Sequence, residues 1–507
     1  MSASGPGRLA HRVEVVTESR VLRGGDAFAA FLRLRARFGE HSVFLLESRS
    51  GPASVASRAF IGIGPVLGFR VGGRRVEWHG TPALVRRARR AAVERGVLRD
   101  TAAGAELDPS ATALEVMRAV RDLFLVHPPE PADSSFRFGL FGYLGYDFSW
   151  SLERLPTLIA DRAGLPEVDL AVYAALVEFD LLSGTTAVHV NRSGEWGGPR
   201  PEEIAALVGS ADAPDVEPLP VAPAPAAVLD STTAADYLAK VRTALDHIRA
   251  GDIYQVQLGH ELEIVSPADP LAVYRRLRAR NPSPYSYYAP FGPVTALGAS
   301  PELFLRVRDG RVTMKPIAGT APRDPDPDRD LAAARRLRAD DKEIAEHVML
   351  VDLCRNDIGR VCVPGTLTTE GLLTAERYSH VHHLVSTVHG RLEPGVDVFD
   401  VIRAAFPAGT MTGAPKIRAM EIIEELETSR RGLYAGAIGL IDFAGPVELA
   451  LCIRSAVHRA GRYVIRASAG VVADSDPDRE WAETFHKLGA LHWAVTGNEV
   501  DRASLAR

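Results

Sequence analysis

Two short carboxylate pairs stand out in this 507-residue chain: Glu343-Ile-Ala-Glu346 and Glu480-Trp-Ala-Glu483. Each lies in a stretch of helical character, and the three-residue spacing puts both members of a pair on one face. The first pair runs into His347–Leu353, apolar almost all round, which predicts a buried helix. The second continues to Lys487, so Glu480, Glu483 and Lys487 form a stripe opposite Trp481, Phe485 and Leu488. Buried carboxylates are costly without compensation. Mg²⁺ provides it by taking one or two protein carboxylates, several waters and often an anionic group of a substrate. Glu421-Ile-Ile-Glu424 has the same spacing and reads as a solvated helix face, so spacing alone does not make a metal site.

Three further segments carry polar chemistry. Ala408-Gly-Thr-Met-Thr-Gly-Ala-Pro-Lys416 ends a loop and opens a helix over 417–427, with Thr412 placed to cap it and Pro415 suited to its first turn. Free N–H groups and the helix dipole there favour an anion, and Lys416 either adds charge or faces water. The Gly-Lys-[Ser/Thr] of a nucleotide-binding loop is missing. Between Tyr378 and His389 four histidines (380, 382, 383 and 389) crowd one stretch, with 382 and 383 on opposite faces of a strand. Zinc lacks a third ligand at a convincing spacing; one histidine suits general acid–base work and the others suit packing. Arg466-Ala-Ser-Ala-Gly470 is a strand of small residues, which admits either a ligand or a closely packed helix. Lysine occurs only at 240, 315, 342, 416 and 487 in an arginine-rich background, which directs attention to Lys416 and Lys487 as positions needing a compact ammonium.

The elements that position these groups follow from periodicity and turn chemistry. Tyr237, Val241, Leu245 and Ile248 mark a helix stopped by Gly251-Asp252. Short apolar runs broken by Gly and Pro over 285–309 read as strands, and 328–356 reads as one long helix. Residues 432–473 read as a three-strand meander: Leu433–Phe443, Glu448–His458 and Arg462–Ala473. A final helix starts at Ser475/Asp476 and runs to Val495. Residues 209–230 form a Pro/Ala-rich connector without a packed core, between an N-terminal lobe (1–208) and a second lobe (231–507). Strands and helices do not alternate as βαβ units, which predicts an α+β fold in two lobes built on large antiparallel sheets flanked by helices.

Composition excludes several classes. The chain is 46% hydrophobic and 24% charged with a net charge of −5, and has no long basic run, so neither nucleic acid nor an anionic membrane is an expected partner. No apolar run spans a bilayer, and the opening Met1–Pro6 lacks a signal pattern. Cys354, Cys362 and Cys452 lie in apolar contexts and read as buried thiols of a cytoplasmic protein.

In combination these segments resemble the chorismate-utilising enzymes, and among them the synthase subunit of anthranilate synthase. The resemblance rests on Phe44-Leu-Leu-Glu-Ser48, Ala250-Gly-Asp-Ile-Tyr-Gln-Val256, Asn281-Pro-Ser-Pro-Tyr285, Gly298-Ala-Ser-Pro-Glu302, Pro316-Ile-Ala-Gly-Thr320, Ala345–Leu353, Arg355-Asn-Asp357, Phe406-Pro-Ala-Gly-Thr410 and Gly413-Ala-Pro-Lys416. It implies the chorismate-utilising-enzyme fold and Mg²⁺-dependent addition of ammonia at C2 of chorismate as the C4 hydroxyl leaves. Pyruvate elimination to anthranilate follows. The alternative is a 2-amino-2-deoxyisochorismate synthase of secondary metabolism, which stops before that elimination.

The resemblance also implies roles. Glu343, Glu346, Glu480 and Glu483 would form the Mg²⁺ site. Tyr434, Arg454 and the backbone at Ala469 and Gly470 would hold the enolpyruvyl carboxylate. Thr410 and Glu302 would lie near the ring, Glu302 as acid for the departing hydroxyl, with Lys487 near the leaving group and His383 serving pyruvate elimination. Gln255 stands where water-adding relatives carry a lysine base, and Ala318 where 4-aminating relatives carry a nucleophilic lysine; both favour C2 amination. Glu47, Ser48, Pro284 and Tyr285 match a tryptophan-inhibition motif, but Ser286 replaces its usual Met, so weak or absent inhibition is expected. No glutaminase signature is present, which implies a hetero-oligomer with a separate glutamine amidotransferase subunit supplying ammonia. Ser468 (usually Gly), Arg466 (usually Gln), His382 (usually Met), Ala321 (usually Arg) and Gly259-His-Glu depart from the family pattern.

Overall fold

The computed structural model describes residues 12–52, 57–102, 104–127, 136–162, 164–210 and 218–500. Met1–Pro6 and positions 211–217 of the connector lie outside the described residues. Among the described residues, 24 strands join into one hydrogen-bonded network, flanked by 12 α-helices. Its pairings are antiparallel except where Val13–Val15 runs parallel to Phe124–Val126.

The sheets cross the lobe boundary. Gly139–Leu144 pairs with Ala437–Asp442, and Val43–Glu47 pairs with Tyr285–Phe291. The connector also takes part: Ala227–Asp230 forms a strand against Leu262–Val265, where a coreless linker was expected. One apolar core draws on both sides of the connector, including Leu114, Leu140, Phe304 and Ile402.

The strand Gln255–Val265 shows how local pattern sets the architecture. Its even positions are buried, apolar at Val256, Leu258, Leu262 and Ile264 with His260 as the exception, whereas its odd positions are polar or small up to the terminal Val265. Val256 and Leu258 pack with Tyr237, Val241 and Leu245 of the helix Ala234–Ala250. Burying each such side chain contributes roughly 1.5–3 kcal/mol. Thr233 caps that helix at the Asp236 N–H, and Gly251 ends it at φ 83°.

Two elements expected as single pieces are divided. The 328–356 stretch is two helices, Pro327–Leu337 and Asp341–Gly359, because Asp340 accepts the N–H groups of Lys342 and Glu343 and starts a new helix. The second, carrying Glu343 and Glu346, is only partly buried, with Val348 39% exposed. The middle meander strand splits into Val447–Leu451 and Ser455–Arg459 at Arg454, whose φ is 52°. The first is shortened to Ala437–Asp442 because Ala435 sits at φ 65°. The last helix, Pro477–Thr496, starts after Asp476 as read from the sequence.

Candidate active site

The strands Gln255–Val265 and Arg462–Val471 pair with Gln257 opposite Gly470, Gly259 opposite Ser468 and Glu261 opposite Arg466. A Cβ on Gly470 would sit 2.8 Å from Gln255 Nε2 and 2.9 Å from Gln257 Nε2, so only glycine leaves this face open. Gln255 Nε2 donates to Glu346 Oε1 at 3.0 Å, while its own Oε1 is buried without a partner.

Glu346 belongs to the helix Asp341–Gly359, and the other carboxylate pair reaches the same region from Pro477–Thr496. The two pairs feel each other electrostatically. Burial, then neighbouring carboxylates, raise Glu343 and Glu346 above the usual range. Burial also raises Glu480, with Glu483 adding to it. Glu483 alone is lowered: burial opposes it, but Lys487 Nζ at 2.6 Å outweighs that cost. Lys487 also donates to the Ser468 carbonyl at 2.8 Å. Among the described residues, no three acidic, imidazole or thiol groups already converge as a ligand cage. The donor chemistry nonetheless fits Mg²⁺: these are oxygen donors carrying more negative charge than the local lysines neutralise, and Mg²⁺ needs only one or two of them.

His383 lies on the strand Val381–Arg391 beside Ile317–Pro322. Its Nδ1 is 2.9 Å from the Gly319 carbonyl, which only accepts, so Nδ1 carries the proton and Nε2 keeps its lone pair. Thr320 Oγ1 lies 3.1 Å from the same nitrogen. Burial, assisted by the charges of Arg454 and Lys487, lowers His383 to about 4. It is therefore neutral at physiological pH and able to act as a base. Gly319 has φ 60°, and a Cβ there would lie 3.0 Å from Glu343 Oε2, which places the His383 strand pair against the carboxylates.

Glu302 is 6% exposed, and burial pushes it up to about 8. Thr410 adjoins it, but its Oγ1 completes no hydrogen bond of ordinary geometry. Tyr434 and Arg454 arrive on adjoining irregular turns. The Ala435 N–H donates to the Cys452 carbonyl at 2.9 Å, and the Cys452 N–H returns a bond to Gly436 at 2.8 Å. Ala435 and Arg454 hold left-handed conformations costing about 1–3 kcal/mol each, strain of the kind concentrated at functional sites. Arg454 Nη1 donates to the Lys487 carbonyl at 2.8 Å, and Tyr434 OH to Ser468 Oγ at 3.1 Å. The fold thus gathers Gln255, Glu343, Glu346, His383, Tyr434, Arg454, Ala469, Gly470, Glu480, Glu483 and Lys487 into one region, with Glu302 and Thr410 paired at a second point.

Other expectations need correction. Lys416 holds Asp357 with two 2.8 Å contacts, so its charge is spent on a carboxylate of the chain itself rather than on a ligand anion or on water. Thr412 Oγ1 turns back to the Ala408 carbonyl at 3.1 Å, so Pro415 opens the helix Lys416–Leu426 without a side-chain cap. Glu424 is buried and accepts the N–H groups of Leu158 and Ile159, so it is no solvated face. His380 precedes its strand and reaches the Arg280 carbonyl, while His382 bonds Asp330 at 2.8 Å.

Some supporting groups escaped the sequence reading. Gln257 shares the face of Gln255, and the two-residue strand period could have found it. Buried Glu427 joins Arg431 at 2.8 Å, Arg466 at 2.5 Å and the Gly259 N–H at 2.9 Å, a network with no local signature.

The inhibition-motif residues lie together on the pairing of Val43–Glu47 with Tyr285–Phe291. Glu47 is buried and held by Arg278 at 2.6 and 3.1 Å and by Tyr274 OH at 2.7 Å. Ser48 donates to the Pro284 carbonyl at 2.7 Å and Ser286 to the Ser283 carbonyl at 3.4 Å; Tyr285 OH is buried without a partner.

The family model for chorismate binding enzyme matches residues 84–492. The chain belongs to this family. It is 49% identical to a Streptomyces globisporus 2-amino-4-deoxychorismate synthase over 96% of this chain and 98% of that one. It is 44% identical to anthranilate synthase component 1 of Streptomyces coelicolor over 72% and 74% of the two chains. The crystal structure of anthranilate synthase component I from Streptococcus pneumoniae superposes with a TM-score of 0.70 at 30% identity, covering 86% and 92% of the chains. The protein is therefore a chorismate-utilising enzyme with the α+β fold of that family. No helix among the described residues is long and apolar enough to cross a membrane.

Proposed function

We propose that the protein adds ammonia at C2 of chorismate with loss of the C4 hydroxyl, and releases the product with its enolpyruvyl group attached. One observation carries the choice of product: the 49% identity that runs through almost the whole of both chains to a 2-amino-4-deoxychorismate synthase. That name describes an amine at C2, a lost C4 hydroxyl and a retained enolpyruvyl ether, the same compound as 2-amino-2-deoxyisochorismate. This reverses the order expected from the sequence, in which anthranilate came first. The second reading, full turnover to anthranilate, is favoured by His383, whose neutral Nε2 could take the proton that pyruvate elimination requires.

In this proposal Gln255 cannot activate water, since an amide is no base and its NH₂ is engaged by Glu346. Glu302, protonated at neutral pH, donates to the departing hydroxyl, with Thr410 beside it. Tyr434, Arg454 and the backbone at Ala469 and Gly470 hold the enolpyruvyl carboxylate. Glu343, Glu346, Glu480 and Glu483 would hold Mg²⁺, which supplies Lewis-acid stabilisation when bound. Lys487 fixes Glu483 and the Ser468 carbonyl. A separate amidotransferase subunit delivers the ammonia. Three buried free thiols fit a reducing cytoplasm.

Purified chain incubated with chorismate, Mg²⁺ and ammonium tests this by mass spectrometry. An aminated product retaining the enolpyruvyl group supports the proposal. Anthranilate with equimolar pyruvate supports the second reading, and untouched chorismate rejects both.

A further inference from the structure

The departures Gly259 and Ser468 are directly opposite each other on paired strands. A Cβ on Gly259 would overlap Ser468 Oγ and the Ala467 carbonyl, so the serine hydroxyl fills the space that a side chain at 259 would need. Ser468 is 1% exposed, yet it touches two groups of the site. Its Oγ accepts from Tyr434 OH at 3.1 Å, and its carbonyl accepts from Lys487 Nζ at 2.8 Å. The Gly259 N–H is itself fixed by Glu427 Oε1 at 2.9 Å. Glu427 also holds Arg466, two residues along the same strand face from Ser468. The serine, its glycine partner and the arginine are thus one packed unit.

We infer that Ser468, for which Gly259 leaves room, determines how the site grips the carboxylate of the substrate side chain. Ser468 is a positioning residue. Its hydroxyl orients the Tyr434 phenol and, having accepted that hydrogen bond, leaves its own O–H as a further donor beside Gly470. A phenol has a single proton, which Tyr434 directs at Ser468, so Tyr434 reaches a ligand carboxylate through the serine O–H. The added hydroxyl anchors the side chain that the proposed reaction retains. This inference rests on the reading of the site as a chorismate site.

Steady-state kinetics with chorismate, Mg²⁺ and ammonium on the full chain provide the test. Ser468→Gly should raise KM for chorismate by about 3- to 10-fold, the worth of one hydrogen bond, while kcat changes less. Gly259→Ser should displace the Ser468 hydroxyl and raise KM similarly. The double variant Gly259→Ser/Ser468→Gly should keep the raised KM and a lowered melting temperature, because the Ala467 carbonyl still blocks a side chain at 259 after the serine hydroxyl is gone. Unchanged KM in Ser468→Gly, or loss of Tm in all variants without a change in KM, overturns the inference. Wild-type chain that neither binds nor consumes chorismate overturns the underlying reading instead.

Discussion

Two carboxylate sites in this molecule, one buried and one only partly buried, are built on opposite terms. At Glu47, the charge is met from within by the two-pronged contact of Arg278 and by Tyr274 OH, and Ser48 is spent on a backbone carbonyl. At the Glu343/Glu346/Glu480/Glu483 site, three of the four carboxylates are pushed upward by burial and mutual repulsion. Gln255 Oε1 beside Glu346, and Thr410 Oγ1 next to Glu302, are left buried without hydrogen-bond partners. Leaving such groups unmet costs about 1–3 kcal/mol each, which a folded chain tolerates where a ligand will supply the missing contacts. The first site meets its carboxylate charge from within and leaves only the neutral Tyr285 OH unmet; the second calls for a cation and a polar substrate.

The sharpest way to break this contrast is to remove charge from each site in turn. Chelation with EDTA should abolish turnover, and Glu346→Gln should lower kcat/KM by ~100-fold or more, since Lewis-acid stabilisation is worth several kcal/mol. The same substitution should raise Tm of the metal-free chain. A carboxyl held above its unfolded pKa loses folding stability as pH rises through that range, and the amide removes this penalty. Glu47→Gln should do the reverse, lowering stability by about 3 kcal/mol through the orphaned Arg278 while largely sparing kcat. If both variants shift Tm in the same direction, the two sites do not differ as described.

Glu302 gives an intermediate effect with a pH signature. Its acid form predominates below about 8 and disappears as pH rises through that value. At constant free ammonia, kcat should therefore fall on the alkaline side. Glu302→Gln should cost ~10²-fold and flatten that limb; a limb that survives in the variant assigns it to another group.

The smallest effect concerns tryptophan. Because Glu47 and Ser48 are already engaged and Ser286 stands at the packing position, millimolar tryptophan should leave the rate unchanged. A titration showing tight inhibition would mean that Arg278 and Tyr274 yield to a ligand.

What the sequence made legible was periodic or capped. The strand of Gln255 follows a two-residue alternation, and the helix of Glu480 begins at a capping Asp476. What it hid was decided by distant partners. Nothing local marks Arg454 as left-handed; its carbonyl is held by the Ala299 N–H, remote in sequence. Lys416, which by its sequence either adds charge to an anion site or faces water, is neutralised by Asp357, far away in sequence. Glu424 and Glu427 sit one turn apart and look like surface positions, yet both are buried on backbone N–H groups from remote segments. The break at Asp340 was readable in principle, since an aspartate followed three residues later by Glu343 is a helix start.

The central claim is amination at C2 with the enolpyruvyl group retained. Isotope-labelled ammonium, chorismate and Mg²⁺ with the purified chain, followed by mass spectrometry and a coupled pyruvate assay in the same reaction, test it directly. The account predicts a labelled amine of chorismate skeleton and no pyruvate above background. Labelled anthranilate appearing in step with pyruvate would contradict it.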